Sequence, residues 1–284
     1  MTDFATEQDV VGAALGAPNL GGRLNFEKAS LTSVAGFLYS GWLAGGQPAA
    51  GATPGAAATV TQATTGALGR FVNAGGSKTN RLLELQFYSG SSGCDILYDR
   101  LAHMGGLSGT VATPTAQTVN VDIATAAAAG RCAADGSDVE WFLEWYTATG
   151  STGVTATITY TNQAGTAGRT TTVTLPASVP ASRLIPITVL AAGDTSIQSI
   201  QSVTLSATTG TAGNFGVTAA KRICHTNYNF LFINAGANGM PGGCMDYLGM
   251  KLPKIPDDAC LWFVHFATTT SIGIRYGYAL IGGR

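Results

Sequence analysis

Runs of alternating apolar and small polar residues, separated by glycine-rich turns, constrain this chain more than any other feature. In VTATITYTNQAGTAGRTTTVTLP, Val154 to Pro176, the residues Val154, Ala156, Ile158 and Tyr160 fall on one face. Asn162 to Gly168 supply turn residues, and Thr171, Val173 and Leu175 return. Alternation of period two marks a half-buried strand, so this stretch predicts a β-hairpin.

The same pattern recurs from Arg81 onward, in RLLELQFYSG, CDILYDRL, AQTVNVDIA, SIQSIQSVTLSA and GNFGVTAAKRI. DVEWFLEWYTATG places Trp141, Leu143 and Trp145 on one face and Glu140, Phe142, Glu144 and Tyr146 on the other. The first set is expected to face a core and the second to face solvent. Pro186 in SRLIPITVL suggests an edge or a bulge. ACLWFVHFATTTSIGIRYGYALIGG reads as a last hairpin across its TTTS turn. Roughly eight to ten strands with no crossover helices predict a mainly β domain over 81–284, an antiparallel two-sheet sandwich of jelly-roll type.

Residues 1–80 read differently. Ser30 can cap a helix, and Leu31, Val34, Leu38 and Trp42 recur at helical spacing. The charge-free tract GGQPAAGATPGAAATVTQATTGALG follows, and its small residues cannot build a core alone. The reading is an N-terminal arm with one short helix, either a tether or an extended segment ordered on a partner chain. Leu31, Val34, Leu38 and Trp42 of the arm, with His103 of the β domain, are the candidate inter-subunit contacts.

Composition narrows function. Charged residues make up 11% of the 284 positions, with 15 basic against 16 acidic, so no strong field attracts nucleic acid. A charge-poor chain near neutrality tends to associate. No apolar run reaches a membrane span, and the acidic MTDFATEQDVV is unlike a signal peptide. The five cysteines have no CxxC spacing and the three histidines stand apart, so no metal or cofactor is expected. Free thiols and an inter-chain disulfide both remain open.

Catalytic readings fare poorly. Glu140 and Glu144 on one strand would lie about 13 Å apart, too far for a glycosidase pair at about 5–9.5 Å. YDRLAHMGGLSG brings Asp99, Arg100 and His103 together, but Ser108 has no identifiable base and GxSxG is absent. GGSKTN lacks the upstream glycine of a phosphate loop and reads as a surface turn. Phe87, Tyr88, Tyr146 and Tyr160 could stack on sugars, or serve as core or subunit contacts.

The phrases ILYDRLAHMGGLSGTV, EWFLEWYTATG, YTNQAGTAGRTTTVTLPAS, IQSVTLSATTGTAGNFGVT and PDDACLWFVHFATTTSIG resemble a family of tailed-bacteriophage proteins found among virion structural genes. GQPAAGATPGAAATVTQATTGALG is similar to that family's Ala/Gly/Pro segment, so the likeness spans nearly the whole chain. The resemblance implies a non-enzymatic virion protein assembled in a host cytoplasm, with no catalytic residues to carry over. A capsid decoration (cement) protein is the expectation, a homotrimer bound to the major capsid protein. The alternative is a tail or fibre-associated, carbohydrate-binding receptor protein.

Overall fold

The computed structural model describes residues 22–75, 79–111, 115–210, 213–226, 244–245 and 252–283. In chain order the strands are β1 (Gly22–Ser33), β2 (Leu38–Ser40), β3 (Gly46–Gln47), β4 (Ala58–Thr59), β5 (Asn80–Ser89) and β6 (Gly93–Ser108). β7 (Ala116–Asp122) is followed by the five-residue helix α1 (Ala124–Ala128). Then come β8 (Glu140–Trp145), β9 (Val154–Asn162), β10 (Arg169–Leu175), β11 (Arg183–Pro186), β12 (Ile197–Leu205) and β13 (Asn214–His225). The last are β14 (Cys244–Met245), β15 (Lys254–Ile255), β16 (Leu261–Ala267) and β17 (Ser271–Gly283). The chain is mainly β and antiparallel, as its alternation predicts.

Two compact units share this chain. Unit 1 holds the described residues of Met1–Gly51, Thr61–Asp99 and Ile223–Arg284, and unit 2 holds Ala52–Val60 and Arg100–Arg222.

Unit 2 is the jelly roll. One sheet runs β6–β13–β8–β11, through the pairings of β13 with β6 and β8 and of β8 with β11. The other runs β7–β12–β9–β10. Numbered from β6 to β13, the eight strands divide between the sheets as first, eighth, third and sixth against second, seventh, fourth and fifth. That division is the double Greek key of a jelly roll. Its core holds the inward faces of both sheets, among them Trp141, Leu143, Trp145, Ile158, Tyr160, Val203 and Phe215. Trp145 lies on Phe215 with ring centroids 4.5 Å apart. Gly216 lets β13 approach β6, since a Cβ there would stand 1.8 Å from the Met104 carbonyl oxygen.

The proposed hairpin Val154–Pro176 forms as β9 and β10, in register from Arg169↔Tyr160 to Leu175↔Val154. Asp194 fastens it. Its carboxylate accepts from the Tyr160 hydroxyl and Asn162 Nδ2 at 2.7 Å and from Arg169 Nε at 2.8 Å.

Unit 1 places β5, β17 and β1 side by side, with β3 on β1 and β14 and β15 on β5. The 93–99 half of β6 pairs with β16, which also pairs with β2. Leu24, Phe26, Leu85, Phe87, Leu97, Leu261 and Phe263 form the core. Phe87 lies 4.9 Å from Phe26 and 5.7 Å from Phe263, centroid to centroid.

The boundary at residue 80 does not divide the structure. β1 pairs with β17 from Gly22↔Ile281 to Ser33↔Ser271. The helical spacing of Leu31, Val34, Leu38 and Trp42 goes unused, because long-range sheet pairing overrides local preference. Gly36, at φ +85°, then turns the chain in a conformation an α-helix cannot hold. The Gly/Ala/Pro tract is ordered on its own chain. β4 pairs with β6 at His103 and Ala102, and Leu68 donates its amide to the Leu261 carbonyl. Residues 1–21 of the expected arm and the Gly76–Lys78 part of GGSKTN lie outside the described residues.

Candidate functional site

Three groups of side chains carry enough chemistry to weigh as a site. The first is inside unit 2. Arg100 on β6 and Glu144 on β8 form an ion pair at 2.6 Å, with side-chain exposures of 0% and 1%. Thr218 Oγ1 donates to Glu144 Oε2 at 2.6 Å, and the Tyr146 hydroxyl donates to the same oxygen at 3.2 Å. Arg100 also donates from Nε to His103 Nδ1 at 3.0 Å. Burial holds the His103 imidazole down at about 3, helped by the neighbouring guanidinium, so it stays neutral. Burial, reinforced by the Glu144 charge, raises the Tyr146 phenol.

Glu144 therefore corrects the solvent-face reading of β8. Phe142, Glu144 and Tyr146 are all buried, and only Glu140 reaches solvent, where Arg222 Nε pairs with it at 2.9 Å. Arg131 adds to unit 2's internal bracing by donating to the Val60 and Arg100 carbonyls at 2.6 and 2.9 Å.

The second group is inside unit 1 and has the order of a hydrolytic triad. Ser91 Oγ lies 3.2 Å from His265 Nε2, and His265 Nδ1 lies 2.9 Å from Asp95 Oδ1. Arg275 Nη2 donates to Ser91 Oγ at 2.5 Å. One assignment satisfies the chain of bonds: Arg275 to the Ser91 oxygen, the Ser91 hydroxyl to Nε2, and the Nδ1 proton to Asp95. Nucleophilic hydrolysis needs a serine that substrate can reach and donors aimed at the developing oxyanion. Here Ser91 is 1% exposed and Asp95, His265 and Arg275 are 0% exposed. The network works as a sealed hydrogen-bond relay holding β6, β16 and β17 to the β5–β6 turn.

The third group is open. On the outward face of the β5–β17–β1 sheet, Tyr276 sits between its register partners Glu27 and Tyr88. The rings of Tyr88 and Tyr276 are parallel within 6° at 4.9 Å. One row along, Tyr278 lies between Asn25 and Gln86, and the Arg23 guanidinium covers its ring at 3.8 Å. These residues line a depression of about 880 Å³ that Gln47 and Ile274 help to close. Ile272, Ile274 and Tyr276 are 67%, 46% and 38% exposed, an apolar stripe along one strand.

Of the candidate contacts, Leu31 and Trp42 are buried within unit 1, Val34 is exposed, and Leu38 is half-buried. Trp42 packs where Gly51 and Gly66 leave room, since a Cβ on either would meet the indole. His103 belongs to the buried cluster of unit 2 and is 6% exposed. Of the four aromatics weighed for sugar stacking, only Tyr88 lies on the open face; Phe87, Tyr146 and Tyr160 are buried. Tyr276 and Tyr278 were missed, although the alternation of Ile272, Ile274, Tyr276 and Tyr278 carried the signal. The triad residues had no local signal. Cys94, Cys132, Cys224 and Cys260 form no disulfide with one another. No group of three His, Cys, Asp or Glu side chains among the described residues could hold a metal.

No family model and no curated protein matches the chain. Among solved structures it is similar to the T=1 particles derived from infectious bursal virus, at 12% identity and a TM-score of 0.18. That match covers 98% of this chain and 84% of the other. It is also similar to the VP2 subviral particle of infectious bursal disease virus, at 11% identity and a TM-score of 0.19, over 96% of this chain and 86% of that one. Scores of this size fall far below those of a shared fold. The jelly roll of unit 2 rests on its strand order alone.

Proposed function

We propose that this chain is a structural protein of a virion, and specifically a capsid decoration (cement) protein of a tailed bacteriophage that bridges neighbouring shell subunits. The observation that carries this reading is the contrast between sealed chemistry and open surface. Both ionic clusters are buried inside the two cores, while Ile272 and Ile274 on β17 leave an aliphatic stripe exposed. The low charge content supports the same reading, because such a surface resists association weakly. The sequence resemblance to tailed-phage virion proteins supplies the context. A cement protein acts by additive burial: each copy covers part of two shell subunits and raises the barrier to their separation.

Quantitative mass spectrometry of purified virions tests it. A copy number comparable with that of the major shell subunit is expected. A copy number comparable with single tail or neck components overturns decoration in favour of a tail or fibre-associated role.

A further inference from the structure

We propose that the outward face of the β5–β17–β1 sheet is a binding site for a neutral oligosaccharide. The depression there, about 880 Å³, lies within the usual range for ligand sites. Its floor is a sheet and not a loop, so the backbone that carries the lining side chains is fixed by ladder hydrogen bonds on both sides of β17. A pyranose presents an apolar C–H face and a rim of hydroxyl groups. It is bound by an aromatic ring face set among planar side chains that both donate and accept.

Each requirement is met here. Tyr276 is 38% exposed, and its stacking on Tyr88 at 4.9 Å fixes the ring before any ligand arrives. Preorganisation of this kind lowers the ordering cost of binding. Glu27 and Gln47 are register partners on β1 and β3, and their side chains form no hydrogen bond among the described residues. Asn25 and Gln86 flank Tyr278 in the next row.

Charge selects the class of sugar. The depression is lined by one guanidinium, Arg23, and one carboxylate, Glu27. Arg23 is already engaged, over the Tyr278 ring and with Nε on Asn25 Oδ1 at 3.0 Å. The balance gives no cationic pocket for a phosphate, a sulfate or an acidic sugar, whereas uncharged hydroxyls meet both an acceptor and a donor. The inference does not depend on where in a virion the chain sits.

The test is an array of neutral and acidic bacterial oligosaccharides, probed with the full chain and with Tyr276→Ala and Gln47→Ala. Neutral members should be retained, with at least a ten-fold loss of affinity in Tyr276→Ala and a smaller loss in Gln47→Ala. Gln47 is exposed, so its variant keeps the test valid if Tyr276→Ala fails to fold. Three results overturn the proposal: no neutral glycan retained by the unsubstituted chain, a preference for acidic members, or retention unchanged by Gln47→Ala. A dimer dissolved by Gln47→Ala, with no glycan retained, gives the face to a second copy and also overturns it. Virion copy number is unaffected by any of these results, so the two readings fail separately.

Discussion

His265 and Asp95 face each other as register partners on β16 and β6, with Nδ1 2.9 Å from Oδ1 and no solvent exposure on either side chain. Removing the carboxylate leaves Arg275, whose Nε is 3.8 Å from Asp95 Oδ1, as an uncompensated buried charge. Asp95→Ala should therefore destabilise unit 1 by about 3–5 kcal/mol in denaturant unfolding. Ser91→Ala, which removes hydrogen bonds without stranding a charge, should cost about 1–3 kcal/mol. A serine-directed fluorophosphonate should not label Ser91 in the folded chain. Labelling lost in Ser91→Ala would show that the relay opens to solvent.

Glu140 and Glu144 stand four positions apart on β8 and should respond to substitution very unequally. Glu144→Gln weakens a wholly buried pair with Arg100 and should cost about 3–5 kcal/mol. Glu140→Gln breaks a pair whose side chains are 38% and 49% exposed, and should cost no more than about 1 kcal/mol. Equal effects in urea titrations would contradict the burial of Glu144.

Stability should fall in acid along two limbs. Unfolded His103 titrates near 6.5, and folded His103 near 3 because burial disfavours its cation. Between those values the unfolded chain binds the extra proton, so stability drops as pH falls from 6.5 towards 3. Asp194 adds a lower limb. Its hydrogen bond from Arg169, with those from Tyr160 and Asn162, holds the folded carboxyl at about 2 against an ordinary 3.8. That stabilisation is complete above about pH 4–5 and is lost as pH falls towards 2. Urea midpoints across pH 7 to 2.5 check both limbs. His103→Gln should flatten the upper limb and Asp194→Asn the lower, and a His103→Gln curve parallel to the parent would refute the assignment.

Gly216→Ala should be the most damaging small substitution in unit 2. Its added carbon would stand 1.8 Å from the Met104 carbonyl oxygen and 2.6 Å from the Gly105 Cα, both backbone atoms. Neither can swing aside as a side chain can, so β13 must part from β6. Loss of the cooperative unfolding transition is expected, while Gly55→Ala, at a glycine of unit 2 with open space around it and no positive φ, should retain the transition.

The jelly roll was legible because most of its strands bury one face and alternate cleanly, as β9 does with Val154, Ala156, Ile158 and Tyr160. β1 hid because Lys28 occupies an inward position where an apolar residue is expected. Its Nζ donates to the Pro48 carbonyl at 2.5 Å, a partner twenty positions away. β6 was harder still. Asp99, Arg100 and His103 interrupt its apolar pattern, and the groups that make the burial of the first two tolerable come from distant segments: the Cys260 amide for Asp99 and Glu144 for Arg100. Likewise Ser91 and Asp95 meet His265 across 174 and 170 positions, a separation no spacing rule spans. Period and composition report what a segment does alone, and these residues depend on partners.

The pairing of β1 with β17 sets an order of events during synthesis. Gly22 is made first and must wait for Ile281, 259 positions later by their numbers. At ribosomal rates of about 5–20 residues per second that delay is roughly 13–50 s. Every described strand of unit 2 has emerged before β17 is made. The jelly roll can therefore close while β1, paired at Glu27 and Lys28 with β3, still lacks β17, its Leu24, Phe26 and Leu31 in water. The nascent chain is most exposed to aggregation, or to capture by a chaperone, at β1, and synthesis of β17 ends that exposure.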